Sequence, residues 1–148
     1  MIGFTQAIKR FFLKAFDFSS RASRAEYWWV ALFQMLLIVV PAVLMAVIIP
    51  GLYESVDEGA PGLAIEPLFA FILIGVGVLA IAMVVPHVAL FVRRLHDIGK
   101  SGWIAVILLF QLIPVIGIVF TVAAWVFALI PGDPDDNLYG PPPGSGWD

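Results

Sequence analysis

Few side chains in this 148-residue sequence are equipped for chemistry, and they fall at two places along it. Glu26, His96 and Asp97 are the acid–base candidates, since two carboxylates and an imidazole at one surface can move a proton on a polar headgroup. Arg21, Arg24, Arg93 and Arg94 accompany them, and guanidinium groups grip carboxylate and phosphate oxygens as forked donors. These seven residues form one candidate interface cluster. Each also has a purely structural explanation. Ser23 and Glu26 stand at the spacing of a capping box, in which each side chain bonds the other's amide. Arg93 and Arg94 close a helix whose dipole favours cations at that end. Asp97 follows Arg93 by one helical turn, at ion-pair spacing. Gly99 suits a left-handed helix stop, and Ser101 can cap the helix that follows.

Other motifs dissolve on inspection. Gly99-Lys100-Ser101 has the end of a phosphate loop, but Arg94 stands where the loop's first glycine is required. Asp133, Asp135 and Asn137 match the first ligands of a calcium loop, but Leu138 replaces its turn glycine and Gly144 its last acid. His87 and His96 lack a third ligand at metal spacing. The chain has no cysteine, which excludes disulfides and thiolate chemistry. No cofactor, metal or nucleic-acid partner is expected, and the balance leans away from an enzyme.

The elements that must position the cluster are apolar. At 61% apolar and 13% charged, with a mean hydropathy of +1.01, the composition departs from the soluble norm of about 45–50% apolar and about 25% charged. Three stretches free of charge exceed the roughly 20 residues that cross about 30 Å of hydrocarbon. Helices are expected at 28–49, 68–92 and 103–130, because lipid leaves no partner for an unpaired backbone group. Tyr27, Trp28 and Trp29 mark an interface, and Pro50-Gly51 is expected to stop the first helix. The third run would measure about 42 Å if straight, so Pro114 and Gly117 are expected to kink it; a helix plus a half-helix, a broken hairpin that would leave the tail inside, stays open. Within the runs, Gln34, His87 and Gln111 are candidate intramembrane polar contacts, all at similar depth.

Ahead of the first span, Phe4, Ile8, Phe11, Ala15 and Phe16 recur at helical spacing with Lys9, Arg10 and Lys14 largely off that stripe. This fits an amphipathic helix lying in the interface or packed on the bundle. The fold expected is therefore an all-α membrane protein, one domain over 1–148. It is a small helical bundle of about three transmembrane helices behind a basic segment 1–26 and ahead of a Pro/Gly-rich acidic tail 131–148. All eight basic residues lie before the first span or at Arg93, Arg94 and Lys100. By the positive-inside rule the N-terminus and second loop face the cytoplasm, the Gly51 to Pro67 connection faces outward, and with three spans the tail does too. Adjacent helices would then bring Glu26 to Arg93 or Arg94, and Asp97 to Arg21 or Arg24.

Three segments carry a resemblance: Ser20-Arg21-Ala22-Ser23-Arg24-Ala25-Glu26-Tyr27-Trp28, the loop Arg93 through Trp103, and the tail Pro131-Gly132-Asp133 through Asn137-Leu138-Tyr139-Gly140-Pro141. Together they resemble the bacterial inner-membrane domain-of-unknown-function family 805, also called YhaH/YhaI-like. The resemblance implies a location in the bacterial plasma membrane and a fold, but no substrate. Three functions stay open. A small partner-binding or organising protein is favoured, with anionic headgroups, a protein partner or a homo-oligomer as partners. The alternatives are an oligomeric small-solute channel or transporter, and an enzyme acting on a lipid-linked substrate through Glu26, His96 and Asp97.

Overall fold

The structure, a computed structural model, describes residues 2–57 and 65–144, with side chains outside 51–69. It is all-helical: α1 spans Phe4–Leu13, α2 Arg24–Asp57, α3 Ile65–Asp97, α4 Ile107–Phe110 and α5 Ile116–Leu129, with a 3-10 turn at Gly102–Val106 leading into α4. Among the described residues there is no strand, and one isolated bridge joins Asn137 and Gly140. Two helices are long and apolar enough to cross a membrane, α2 over Arg24–Pro50 and α3 over Ala70–Asp97. The chain divides into two compact units, Met1–Ala31 with Val84–Asp148, and Leu32–Met83. In the second, no described side chain is buried.

The helices outrun their expected limits. Pro50-Gly51 does not stop α2, which continues to Asp57, and Pro41 and Pro86 also lie inside helices. A proline removes one backbone donor and can bend the helix, but in long apolar helices such losses are absorbed locally. Residues 58–64, at the centre of the expected outer connection, lie outside the described residues.

The third apolar run is not one kinked helix. The 3-10 turn and α4 form an inward limb, 111–115 a tip, and α5 a return limb. Pro114 cannot donate to the turn before it and disfavours helical geometry at Ile113. Val115 then sits at φ 68°, ψ −59°, and the Ile116 amide bonds the Pro114 carbonyl at 2.8 Å across it, a γ-turn of the strained, positive-φ hand. Phe110 and Phe120 stack at 4.8 Å between the limbs. A Cβ on Gly117 would overlap the Gln111 carbonyl, so only glycine lets α5 start this close to the tip.

This hairpin returns the tail to the end of α3. The Asp133 amide donates to the Asp97 carbonyl at 2.7 Å. A tail bonded to Asp97 lies at the same end of α3 as the Arg93 to Lys100 loop, so the expectation that the third span separates them does not hold. At about 1.5 Å per residue, the 14-residue α5 reaches about 21 Å, short of a full crossing.

In thermal melting of the purified protein, Gly117→Ala is expected to lower Tm, because the Gln111 carbonyl must move. Val115→Gly should raise it by up to about 1 kcal/mol of stability, since the exposed valine contributes little packing and the positive φ strains a β-branched residue.

Candidate functional site

The site sits where three helix ends meet within the first unit: the start of α2, the end of α3 and the end of α5. The chain reaches it through a turn that Asp17 organises. Its carboxylate accepts from the amides and hydroxyls of Ser19 and Ser20 at 2.5 to 3.1 Å. Partial burial works against the charge, but the Ser20 hydroxyl and the neighbouring serine donors outweigh it and hold this carboxyl well below the usual range. Asp17 therefore favours the folded state above the ordinary carboxylate pKa, and that contribution fades only on strong acidification. Residues 20–22 then run along the end of α3, with the Ala22 amide donating to the Arg93 carbonyl at 3.0 Å.

Glu26 is buried in the first turn of α2. The Ser23 hydroxyl accepts from the Glu26 amide at 3.2 Å, but the carboxylate does not complete the capping box. Instead it accepts from Arg93 Nη1 at 2.9 Å, with Arg10 at 3.9 Å. Both partners are at or below 1% exposure, so this pair is fully out of water. Arg93 Nε and Nη2 are buried without partners, which makes the one bond to Glu26 decisive for holding that charge.

Asp97 ends α3, where the helix dipole disfavours a carboxylate. Two arginines offset that. Arg21 meets Oδ1 through Nε at 3.1 Å and Nη2 at 3.0 Å, and Arg94 Nη1 donates to Oδ2. The same Arg21 guanidinium gathers the tail, donating to the carbonyls of Asp133 at 2.5 Å, Asp135 at 2.9 Å and Gly140 at 3.0 Å. Arg94 Nη2 donates to the Ile130 carbonyl, one of the orphan acceptors left at the end of α5. A Cβ on Gly132 would run into the Asp97 carboxylate, so the tail's approach needs glycine there.

His96 is buried and stacked on Tyr139, with ring centroids 3.7 Å apart and planes at 3°. Its Nδ1 lies 3.3 Å from the Ser20 carbonyl, which makes Nδ1–H the donor and leaves Nε2 beside Gly102. Asn137 donates to the His96 carbonyl at 2.9 Å and to Asp133 Oδ2 at 2.8 Å, and accepts from the Tyr139 amide at 2.9 Å. Gly99, at φ 66°, turns the chain out of α3.

Six of the seven cluster residues are buried here; Arg24 is exposed and, among the described residues, pairs with no acid. Glu26 meets Arg93 and not Arg94, and Asp97 meets Arg21. No hydrogen bond joins Glu26, His96 and Asp97 to one another. Of the apolar-run polar residues, His87 packs 6.5 Å from Tyr27, Gln111 lies at the hairpin tip, and Gln34 belongs to the second unit. Gly132, Asp133, Asn137 and Tyr139 stood out in the sequence only in a rejected calcium-loop pattern and in the tail resemblance, and none was placed in the cluster. The Asn-x-Tyr-Gly turn was the available signal, but its acceptors on α3 are backbone atoms.

A sequence profile described as "Protein of unknown function (DUF805)" matches residues 15–141. No curated protein and no solved structure matches the chain.

Glu26→Gln is expected to cost about 3–5 kcal/mol, because it strands the buried Arg93 charge. Glu26→Leu combined with Arg93→Met should cost far less than the two single changes added, as read in a double-mutant cycle of chemical or thermal unfolding. Gly132→Ala should detach the tail, seen as loss of amide-exchange protection at Asp133 with α3 still protected.

Proposed function

We propose, for a chain that belongs to the DUF805 family, that it is a multi-pass protein of the bacterial plasma membrane which binds or organises a partner at the cytoplasmic surface. In this reading α2 and α3 span the bilayer, and the 102–129 hairpin enters and leaves by one side. The N-terminal segment, the Arg93 to Lys100 loop and the tail then share the cytoplasmic face, with every Lys and Arg on it. The tail's return brings Asp133, Asp135 and Asp136 to the same face without weakening the assignment, because the rule counts cations.

The observation that carries the organising role is the closure of the charged cluster. Asp97 is held between two arginines, Glu26 faces Arg93, and His96 lies between Tyr139 and Ser20. Groups fixed this way set the relative positions of three helix ends, while proton transfer from them would first require breaking a buried pair. What stands exposed around the cluster is contact surface, including Trp103 and Leu138 at 88% and 95% exposure.

The absence of native cysteine makes labelling direct. Cysteines at Lys100 and at Leu138 should both resist an impermeant maleimide in intact cells and react after permeabilisation, whereas one at Glu58 should react from outside. Labelling of position 138 from outside would overturn the shared face. A photo-crosslinker at Trp103 or Leu138 in native membranes should give a discrete adduct, either a second copy or one partner of defined mass. Diffuse lipid adducts alone would count against the organising role.

A further inference from the structure

The tip of the 102–129 hairpin carries a groove and a knob side by side. Between the tip and α5 lies an apolar groove of about 310 Å³, with Ile113, Pro114, Ile118 and Val122 among its walls. An apolar cavity of about 150 Å³ already holds a benzene-sized group, so this one admits more than one aliphatic side chain. Leu112 lies between two wall residues in the sequence yet outside the lining, and is 83% exposed.

An amide and a hydroxyl line the same groove. The Thr121 hydroxyl donates back to the Gly117 carbonyl at 2.9 Å, within α5. The Gln111 carboxamide is half-buried and, among the described residues, makes no hydrogen bond. Its depth decides what can satisfy it. The five residues of the 3-10 turn rise about 2.0 Å each and the four of α4 about 1.5 Å each, so the inward limb reaches about 16 Å. On the membrane reading above, that is the middle of a hydrocarbon core of about 30 Å, beyond the reach of water and headgroup oxygens.

An acyl chain lying in the groove would fill it and leave the amide's donors and acceptor unpaired, which is costly in hydrocarbon. A second carboxamide is the complement that hydrocarbon lacks. Each amide offers both a donor and an acceptor, so two of them facing across a two-fold axis satisfy each other. Knob and groove are self-complementary in the same way, since both belong to one tip.

We propose that the hairpin tip is a homodimer interface, in which the Gln111 carboxamides of two copies bond each other across a two-fold axis and Leu112 of each copy enters the groove of the other. This assignment rests on the plasma-membrane reading and deepens it with one partner, a second copy of this chain, at a surface apart from Trp103 and Leu138.

The test uses the full chain, which has no native cysteine, in bacterial membranes and in vesicles of defined lipid. A photo-reactive amino acid at Leu112 should give an adduct of two copies, at twice 16.2 kDa, with the linked peptide containing Ile118 or Val122. Association is then read by energy transfer between chains labelled on a cysteine at Lys100 as vesicle lipid is increased. Gln111→Leu should weaken it about 3- to 30-fold, the range for one hydrogen bond between membrane helices, and Gln111→Asn should retain most of it. Leu112→Ala should weaken it as well. In the same vesicles, a fluorophore on a cysteine at Leu109 or at Ile81, both exposed, reports membrane position through nitroxides set deep on the acyl chains.

Equal association of Gln111→Leu and the unaltered chain overturns the amide pair, and the interface with it. Adducts at position 112 confined to lipid, to a different protein, or to an internal link at the mass of one copy overturn the second copy as occupant. Quenching at both 109 and 81 in a chain that stays monomeric overturns the dimer while leaving the membrane reading intact. Quenching at 81 alone puts the tip outside the hydrocarbon and overturns the inference with α3 still spanning, and absence of quenching at both positions overturns the membrane reading itself.

Discussion

The Asp97 carboxylate, gripped on one oxygen by Arg21 and on the other by Arg94, is the interaction on which the rest of the charged cluster depends. A carboxylate at the last residue of a helix opposes the dipole, and burial removes the water that would otherwise solvate it. Both costs are offset only if two cations arrive from different parts of the chain. Arg94 comes from the same turn of α3, whereas Arg21 comes from the segment before α2 and brings the tail with it. The arginines exceed the acids here; further donors of Arg21 and Arg94 go to the main-chain carbonyls of Ala22, Ile130, Asp133, Asp135 and Gly140, while Arg93 Nε and Nη2 stay unsatisfied. Neutral acceptors thus complete what two carboxylates begin.

The hairpin of the third apolar run follows from the same arrangement. Its first residues lie against His96 and Val92 through Gly102, and its last carbonyl lies on Arg94. With both ends tied to one end of α3, 28 apolar residues can only go in and come back. Pro114, Val115 and Gly117 supply the reversal: no donor, a left-handed backbone, and no side chain where the limbs converge. On the membrane reading proposed above, the apolar character of both limbs lets them face lipid without crossing completely.

How much of this was legible in the sequence depends on which physical signal each part emits. Long uncharged runs announce α2 and α3 because hydropathy accumulates over tens of residues. Their true ends were hidden, since Pro50 is tolerated in a helix that keeps its other bonds. The charged residues of the site stood out because charge is scarce in this chain, and opposite signs at the ends of adjacent helices suggested pairing. The break at Val115 was not legible, and a returning tail could only be kept open beside a crossing one, because a run of apolar residues reads alike whether it crosses or doubles back. The acceptors that draw the tail in are carbonyls, which every residue possesses and no letter of the sequence distinguishes. Gly132 belongs to the same class: its importance comes from an oxygen 35 positions earlier in the chain.

The span of the Arg21 bonds along the chain bears on how the protein is made. Its tail acceptors lie 112 to 119 residues downstream, so during synthesis the guanidinium exists long before anything can satisfy it fully. Asp97 is made first and can hold it by one side; the carbonyls of 133, 135 and 140 come only after the hairpin residues have been made and have turned back. Closure of this lock therefore waits for the tail, and it can close only if the hairpin reversed. On the membrane reading proposed above, a nascent chain whose third run had crossed to the far side would carry its tail away from Arg21 and leave the guanidinium open to water, a chemical mark that separates a misinserted molecule from a finished one.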